Sequence, residues 1–295
     1  MGEISINPKF NIHKTYKKVR ILNPYRNSGA PSGSNDADAA NYLAAVGIIN
    51  DATVYYAGTP QEITGSAIYT AMNNFVGTLK SAGVYAKLKA VYPLIGGNAG
   101  NHKWNLINPQ DTDAAHRVVW FGSGIHSKTG FKGDASTAYG DTNFNQSFHS
   151  ELNNESFGFY SRSNTNRPEF DMGLEDTYQS FIAVNYSGKT YSRSQNTSYA
   201  LILDETDSLG FCSVNRISNS GYSIQRKGLI SYASAESLGI SDNNFKLGMK
   251  GDTIGSYNSA KEFAYSFIGE GLTENQMTAH YNAVQQLQTD LKRAI

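Results

Sequence analysis

Glu169, Asp171 and Glu175 are the residues whose types and spacing come nearest to chemistry. They stand in Glu169-Phe-Asp-Met-Gly-Leu-Glu175, and glycosidases built on β-sandwiches carry their acid and nucleophile on a Glu-x-Asp-x-Glu strand. Alternation along a strand puts Glu169 and Asp171 on one face. Glu175 lies too far on: its separation from Asp171 is ~13 Å on an ideal strand, against the ~5–5.5 Å of a retaining carboxylate pair. Pro168 and Gly173 also suggest a turn here. The expectation is a structural role, and no catalytic residue is assigned.

The histidines, His13, His102, His116, His126, His149 and His280, form no His-x-His or His-x-x-x-His pair. Transition-metal ligation from one helix or strand is therefore unsupported. His102 and His126 are the two that a fold could bring together. Gly122-Ser-Gly124 is not a Gly-x-Ser-x-Gly nucleophile elbow, and no P-loop occurs. The lone Cys212, in Leu209-Gly-Phe-Cys-Ser-Val214, excludes an internal disulfide and reads as a small buried apolar residue. For ligand contact, Tyr139, Tyr191, Tyr222 and Tyr257 stand in predicted loops among Asn, Ser and Gly. Aromatics with amide neighbours can stack on sugar faces and hydrogen-bond hydroxyls.

Composition narrows the classes further. Lys+Arg and Asp+Glu are both 25, so the chain has no electrostatic reason to seek nucleic acid or an anionic membrane. Only 17% of residues are charged, while 19 Tyr and 14 Phe point to sheets and turns. No stretch approaches the ~20 apolar residues of a membrane span. Met1–Arg20 lacks the apolar core of a secretion signal, so synthesis in a reducing cytoplasm is expected. The sequons at Asn145, Asn154, Asn185 and Asn196 are then accidents of an Asn- and Ser-rich chain.

Residues 1–35 read as an extended basic arm and a flexible linker, Asn27-Ser-Gly-Ala-Pro-Ser-Gly-Ser-Asn35. The arm suits docking on a neighbouring subunit, or an edge strand of its own domain. Residues 36–93 read as helical. Asp36 caps a short helix through Leu43 and Val46 that stops at Gly47. A second helix buries Ile68, Met72, Phe75, Val76 and Leu79 and stops at Gly83. A third, with Tyr85, Leu88, Val91 and Tyr92, ends at Pro93.

From residue 94 to 295 short β-type runs dominate. They include His116–Phe121, Ser156–Tyr160, Tyr178–Tyr186, Ser198–Leu203, Gly210–Asn215, Ser223–Arg226, Leu229–Tyr232, Phe245–Met249 and Glu262–Phe267. Strands without crossover helices predict an antiparallel sandwich or jelly roll. The chain closes on a helix over 273–293. Thr273-Glu-Asn-Gln276 is its capping box, Leu272 and Met277 its staple, and Met277, Tyr281, Val284, Leu287 and Leu291 its apolar stripe.

Several segments resemble a family of virion proteins from phages and prophages, common in those of the Bacteroidota. They are Gly83-Val-Tyr-Ala-Lys-Leu-Lys-Ala-Val-Tyr-Pro-Leu-Ile-Gly-Gly97, His102-Lys-Trp-Asn-Leu106, Asn108-Pro-Gln-Asp-Thr-Asp-Ala-Ala115 and Phe263-Ala-Tyr-Ser-Phe-Ile-Gly-Glu-Gly-Leu-Thr-Glu-Asn-Gln276 with Tyr281-Asn-Ala-Val-Gln-Gln-Leu-Gln-Thr289. Phe121-Gly-Ser-Gly-Ile-His-Ser127 and Tyr160-Ser-Arg-Ser-Asn164 also fit. The resemblance spans about Asp36 to Arg293 and leaves the first 35 residues unmatched. It implies a concanavalin A-like or laminin G-like sandwich of a tail fibre, tail tip or head-surface fibre, with no catalytic residues. Sandwiches of these types often hold Ca2+ on loop oxygens. Asp204-Glu-Thr-Asp207 and the stretch from Asp134 to Asp141 are oxygen-rich but follow no EF-hand pattern, so Ca2+ is the one cofactor left open.

The expected protein is mainly β: an antiparallel jelly-roll (concanavalin A-like) β-sandwich with N-terminal helices and a C-terminal helix. Its expected role is a non-enzymatic virion component, assembling with other virion proteins, forming a homo-oligomer and meeting host-surface glycan. Neither nucleic acid nor membrane insertion is expected. The alternative is a glycan-cleaving depolymerase on the same scaffold. A bacterial carbohydrate-binding module would call for a secretion signal.

Overall fold

A computed structural model describes residues 36–55, 62–198, 201–251 and 257–295. The expected arm and linker, residues 1–35, lie outside the described residues, as do Tyr199 and Ala200 of the expected strand Ser198–Leu203.

Helix α1 (Ala37–Val46) starts where Asp36 accepts the backbone N–H groups of Asp38 and Ala39 and stops at Gly47, whose φ is 78°. That left-handed turn suits a residue without Cβ. Helix α2 (Gly65–Ser81) is capped by Thr64 and buries Ile68, Met72, Phe75, Val76 and Leu79. Next comes β1 (Leu88–Tyr92), so the expected third helix is corrected to a single 3-10 turn at Tyr85–Lys87 followed by a strand. The register of β1 on its partner strand shifts between Leu88 and Ala90. Leu88 and Val91 thereby face the helices, while Ala90 and Tyr92 face the interior of the sandwich. A strand apolar on both faces, with one bulge, imitates helical spacing.

The remaining strands are β2 (Val119–Phe121), β3 (Ile125–Ser127), β4 (Gly130–Lys132), β5 (Tyr139–Asn145), β6 (Glu155–Ser161), β7 (Met172–Glu175), β8 (Gln179–Tyr186) and β9 (Lys189–Asn196). They continue as β10 (Leu201–Asp204), β11 (Gly210–Arg216), β12 (Gly221–Arg226), β13 (Leu229–Ser234), β14 (Asn244–Leu247) and β15 (Glu262–Gly269). Short helices α3 (Ala99–His102) and α4 (Gln146–His149) interrupt them, and α5 (Glu274–Asp290) closes the chain with its capping box formed.

Two antiparallel sheets result, an eight-stranded one ordered β13-β12-β11-β6-β15-β4-β3 with β1 also on β15, and a seven-stranded one ordered β10-β9-β8-β7-β14-β5-β2. The fold is the expected antiparallel jelly-roll β-sandwich. Phe157, Phe159, Val214, Ile224 and Phe263 of the first sheet meet Phe144, Met172, Ile182, Val184 and Phe245 of the second in one apolar core. A second core lies on the outer side of the first sheet, where Tyr160, Phe211, Tyr265 and Phe267 pack under α1, α2 and α5. The helical stretch therefore shares a core with the sandwich. Among the described residues, the outer side of the seven-stranded sheet carries a small cluster of its own, on Phe170, Phe181 and Ala183. No helix among the described residues is long and apolar enough to cross a membrane.

Candidate functional site

Glu169 and Asp171 do converge, as strand alternation requires, but on Lys261. The Lys261 ammonium donates to Glu169 Oε1 at 2.7 Å and to Asp171 Oδ1 at 2.8 Å, and none of the three side chains is more than 1% exposed. Glu169 also accepts from Thr165 Oγ1 at 2.5 Å and Ala260 N–H at 2.8 Å. Asp171 accepts from Ser259 Oγ at 2.9 Å and Val184 N–H at 2.7 Å. Burial raises the Asp171 carboxyl, the Lys261 charge opposes this, and the Glu169 charge adds to it. Every carboxylate oxygen thus meets a protein donor, and substrate has no route to them. Glu175 sits on β7, where Pro168 and Gly173 had suggested a turn, and pairs with Lys250 at 2.8 Å.

His102 and His126 meet, their Nδ1 atoms 3.0 Å apart. His102 Nε2 accepts the Gly97 N–H at 3.2 Å, so its Nδ1 must carry the proton and donate to His126. Burial depresses both imidazoles, His126 to about 4 and His102 well below its usual range with the neighbouring His126 and Arg293 adding. Among the described residues no three His, Cys, Asp or Glu side chains gather closely enough to hold a metal ion. The oxygen-rich loops are internally engaged. Asp134 accepts from Thr137 Oγ1 and the N–H groups of Ser136, Thr137 and Ala138. Asp204 pairs with Lys189, Glu205 with Arg226, and Asp207 with Lys227.

Of the four tyrosines assigned to loops, three are corrected to strands, and two of those are buried. Tyr222 lies in β12, 4% exposed, donating its hydroxyl to Ser192 O at 2.6 Å beneath the Arg216 guanidinium. Tyr139 opens β5, also buried, its ring stacked on Phe121 at 4.8 Å. The other two come together on the outer side of the seven-stranded sheet. Tyr191, on β9, meets Tyr186 of β8 at 5.4 Å between ring centroids. Tyr186 meets Tyr257 at 6.2 Å and Phe170 at 5.8 Å. Phe170 receives Tyr257 edge-on at 6.0 Å and Phe181 at 5.0 Å.

This surface grades from a sealed floor to an open rim: Phe181 is buried, Tyr186 and Tyr191 are half-buried, and Tyr257 is 51% exposed. Cations brace the floor. The Lys250 ammonium sits 4.2 Å from the Phe170 centroid and 5.0 Å from that of Phe181, and Arg193 lies 5.4 Å from Phe181. Glu175 and Gln179 hold these cations at 2.8 and 2.6 Å. Two amides beside the aromatics in the chain lack protein partners although buried: Asn185 Oδ1, and both side-chain polar atoms of Asn258. A buried amide without a partner costs ~1–3 kcal/mol, and both side chains lie beneath the surface, Asn185 2% and Asn258 1% exposed.

Backbone geometry positions the surface. Ser187 and Gly188, with φ of 53° and 83°, turn β8 into β9 and return the chain so that Ala183 faces Tyr191. An isolated parallel bridge between Phe170 and Asn258, and the Phe170 N–H bond to Tyr257 O at 2.7 Å, bring in the other two rings. Phe170, Tyr186 and Lys250 were not anticipated as ligand contacts. The signal for Tyr186 was available, since Ser-Gly between β-type runs marks a tight hairpin. Phe170 and Lys250 arrive by long-range contacts without a local signal.

No family model matches the chain, and no curated protein matches it. Solved structures do, at low identity. A mutant of the Trypanosoma rangeli sialidase with trans-sialidase activity superposes with a TM-score of 0.49 and 9% identity, over 76% of this chain and 39% of that one. The botulinum neurotoxin serotype D binding domain gives 0.45 and 12%, over 67% and 52%. Domain 4 of a GH43 extracellular arabinanase from Geobacillus stearothermophilus, in complex with arabinotriose, gives 0.38 and 12%, over 66% and 98%. The chain thus spans about two fifths of the sialidase. Similarity at this level carries nothing about activity or ligand.

Proposed function

We propose that this chain is a non-enzymatic structural and binding component of a bacteriophage particle, in a tail fibre, tail tip or head-surface fibre. It presents the outer side of its seven-stranded sheet to a host-surface glycan and assembles with other virion proteins through the rest of its surface. The observation that carries the binding half is the aromatic surface of Phe170, Tyr186, Tyr191 and Tyr257, rising from buried to half-exposed. Sugar C–H faces stack on such rings. The particle half rests on the run of segments from Gly83 to Thr289 that resembles virion proteins. Single sites of this kind bind weakly, and copies in a symmetric array offset this through avidity.

The depolymerase reading would need Glu169 and Asp171 to reach a glycosidic bond, and both are fully committed to Lys261 and neighbouring donors.

Isothermal titration of the full chain with host capsular and lipopolysaccharide glycans tests the binding half. Tyr257→Ala is expected to weaken binding about tenfold, as loss of one ring contact of ~1.4 kcal/mol gives, and to leave unfolding unchanged. Release of reducing ends by the wild type would overturn the non-enzymatic reading. Antibody labelling of intact particles tests the location.

A further inference from the structure

The edges of the two sheets are not equally protected. β2 and β3 are three residues long, and β10 is four residues long with Asp204 paired to Lys189. β13 is six residues long, Leu229-Ile-Ser-Tyr-Ala-Ser234, and carries neither charge nor proline. Natural edge strands ordinarily blunt themselves with lysine, proline, a bulge or shortness, because an open ladder recruits another strand. β13 uses none of these devices, and its register on β12 is unbroken. Leu229 is 74% exposed and Tyr232 62%.

The hairpin fixes which backbone groups face outward. Lys227 and Gly228, with φ of 50° and 84°, form a two-residue loop that closes on the Arg226–Leu229 pair. In such a hairpin the closing pair exchanges both bonds and the pattern then alternates. Leu229, Ser231 and Ala233 therefore bond to β12. Ile230, Tyr232 and Ser234 direct their N–H and C=O groups away from the sheet, where no strand among the described residues receives them.

From this geometry we infer that β13 is a homotypic assembly edge: it pairs antiparallel with β13 of a second copy, about a two-fold axis through Tyr232. The occupant is a second copy because the edge is complementary to itself. An axis perpendicular to the sheet keeps each face on its own side. It sets Tyr232 against its counterpart and Ile230 against Ser234, so every outward donor meets an outward acceptor. No like charges oppose one another anywhere along the strand. On the helix side, Tyr232 already hydrogen-bonds Glu274 of α5 at 2.5 Å, which holds the strand's conformation ready for pairing.

This deepens the assembly half of the proposed function and is separable from its glycan half, which sits on the other sheet. Sedimentation equilibrium of the full chain from micromolar to sub-millimolar concentration is the test. The wild type is expected to reach twice the monomer mass. Ser234→Pro, which removes only an outward N–H, and Tyr232→Lys, which places like charges on the axis, are each expected to stay monomeric with wild-type circular dichroism and glycan affinity. Oxidised Tyr232→Cys is expected to form a covalent dimer, because residues opposite each other in a bonded pair stand ~5.5 Å apart between Cα atoms. A monomeric wild type over the whole range overturns the inference and leaves the edge to another partner. So does a dimer that survives both folded variants.

Discussion

Lys261 places its ammonium 2.8 Å from Asp171, and neither side chain reaches solvent. A lysine shared by two carboxylates in a dry interior holds three segments together: residues 165–171, the start of β15 and, through Val184, the middle of β8. Lys261→Met would leave two carboxylates buried without their cation. Removing one partner of a buried pair costs about 3–5 kcal/mol, so urea unfolding is expected to show a loss of that size. Glu169→Gln is expected to destabilise as well, with glycan affinity unchanged in whatever fraction stays folded.

Tyr222 and Tyr191 should separate stability from binding. The Tyr222 hydroxyl donates to Ser192 O inside the core. Tyr222→Phe leaves that carbonyl without its donor and is expected to cost about 1 kcal/mol, with no effect on a glycan titration. Tyr191→Ala, which removes a half-buried ring packed on Tyr186, is expected to weaken glycan binding as Tyr222→Phe does not, with a stability loss of about 1 kcal/mol.

His280 should make the fold acid-sensitive. It is fully buried on α5, shares a hydrogen bond of 2.7 Å between its Nε2 and the Tyr265 hydroxyl, and burial lowers it from 6.5 to about 3. Between those values the unfolded chain binds a proton that the folded chain refuses. The contribution is therefore whole above pH 6.5 and is lost progressively as pH falls toward 3, amounting to roughly 2–3 kcal/mol by pH 4.5. The depressed His102 and His126 act in the same direction. Urea midpoints at pH 7 and 4.5 should show this loss, and His280→Gln should shrink it.

Cys212 should be silent until the chain opens. Its thiol is buried in the sandwich core and burial pushes it up to about 12. The thiolate is the reactive form, so labelling by a disulfide reagent at pH 8 is expected to track unfolding in urea. Rapid labelling of the native protein would contradict this placement.

Which parts were legible follows from the range of the forces involved. The caps at Asp36 and Thr273, the stop at Gly47 and the stripe through Leu287 are set by neighbours within a turn or two, and they stand where the sequence places them. So do most β-type runs, because alternation and punctuation by Gly, Asn and Ser are local. β1 failed that reading, since one irregularity and two apolar faces give a strand helical spacing. β9 was overlooked: Lys189-Thr-Tyr-Ser-Arg-Ser-Gln-Asn196 is a polar run that enters the sheet through pairing with β8.

By itself the amino-acid sequence determined an antiparallel sandwich with its flanking helices, since propensity, capping and periodicity act over a few residues. It also determined that Cys212 is buried and that Glu169 and Asp171 share a face. Only the tertiary structure decided that this face closes on Lys261, that Tyr222 is core while Tyr257 joins Phe170 and Tyr186 at the surface, and that β13 ends its sheet among the described residues. Those outcomes depend on which strands become neighbours across long stretches of chain, and no local pattern encodes the partner of a side chain ninety residues away.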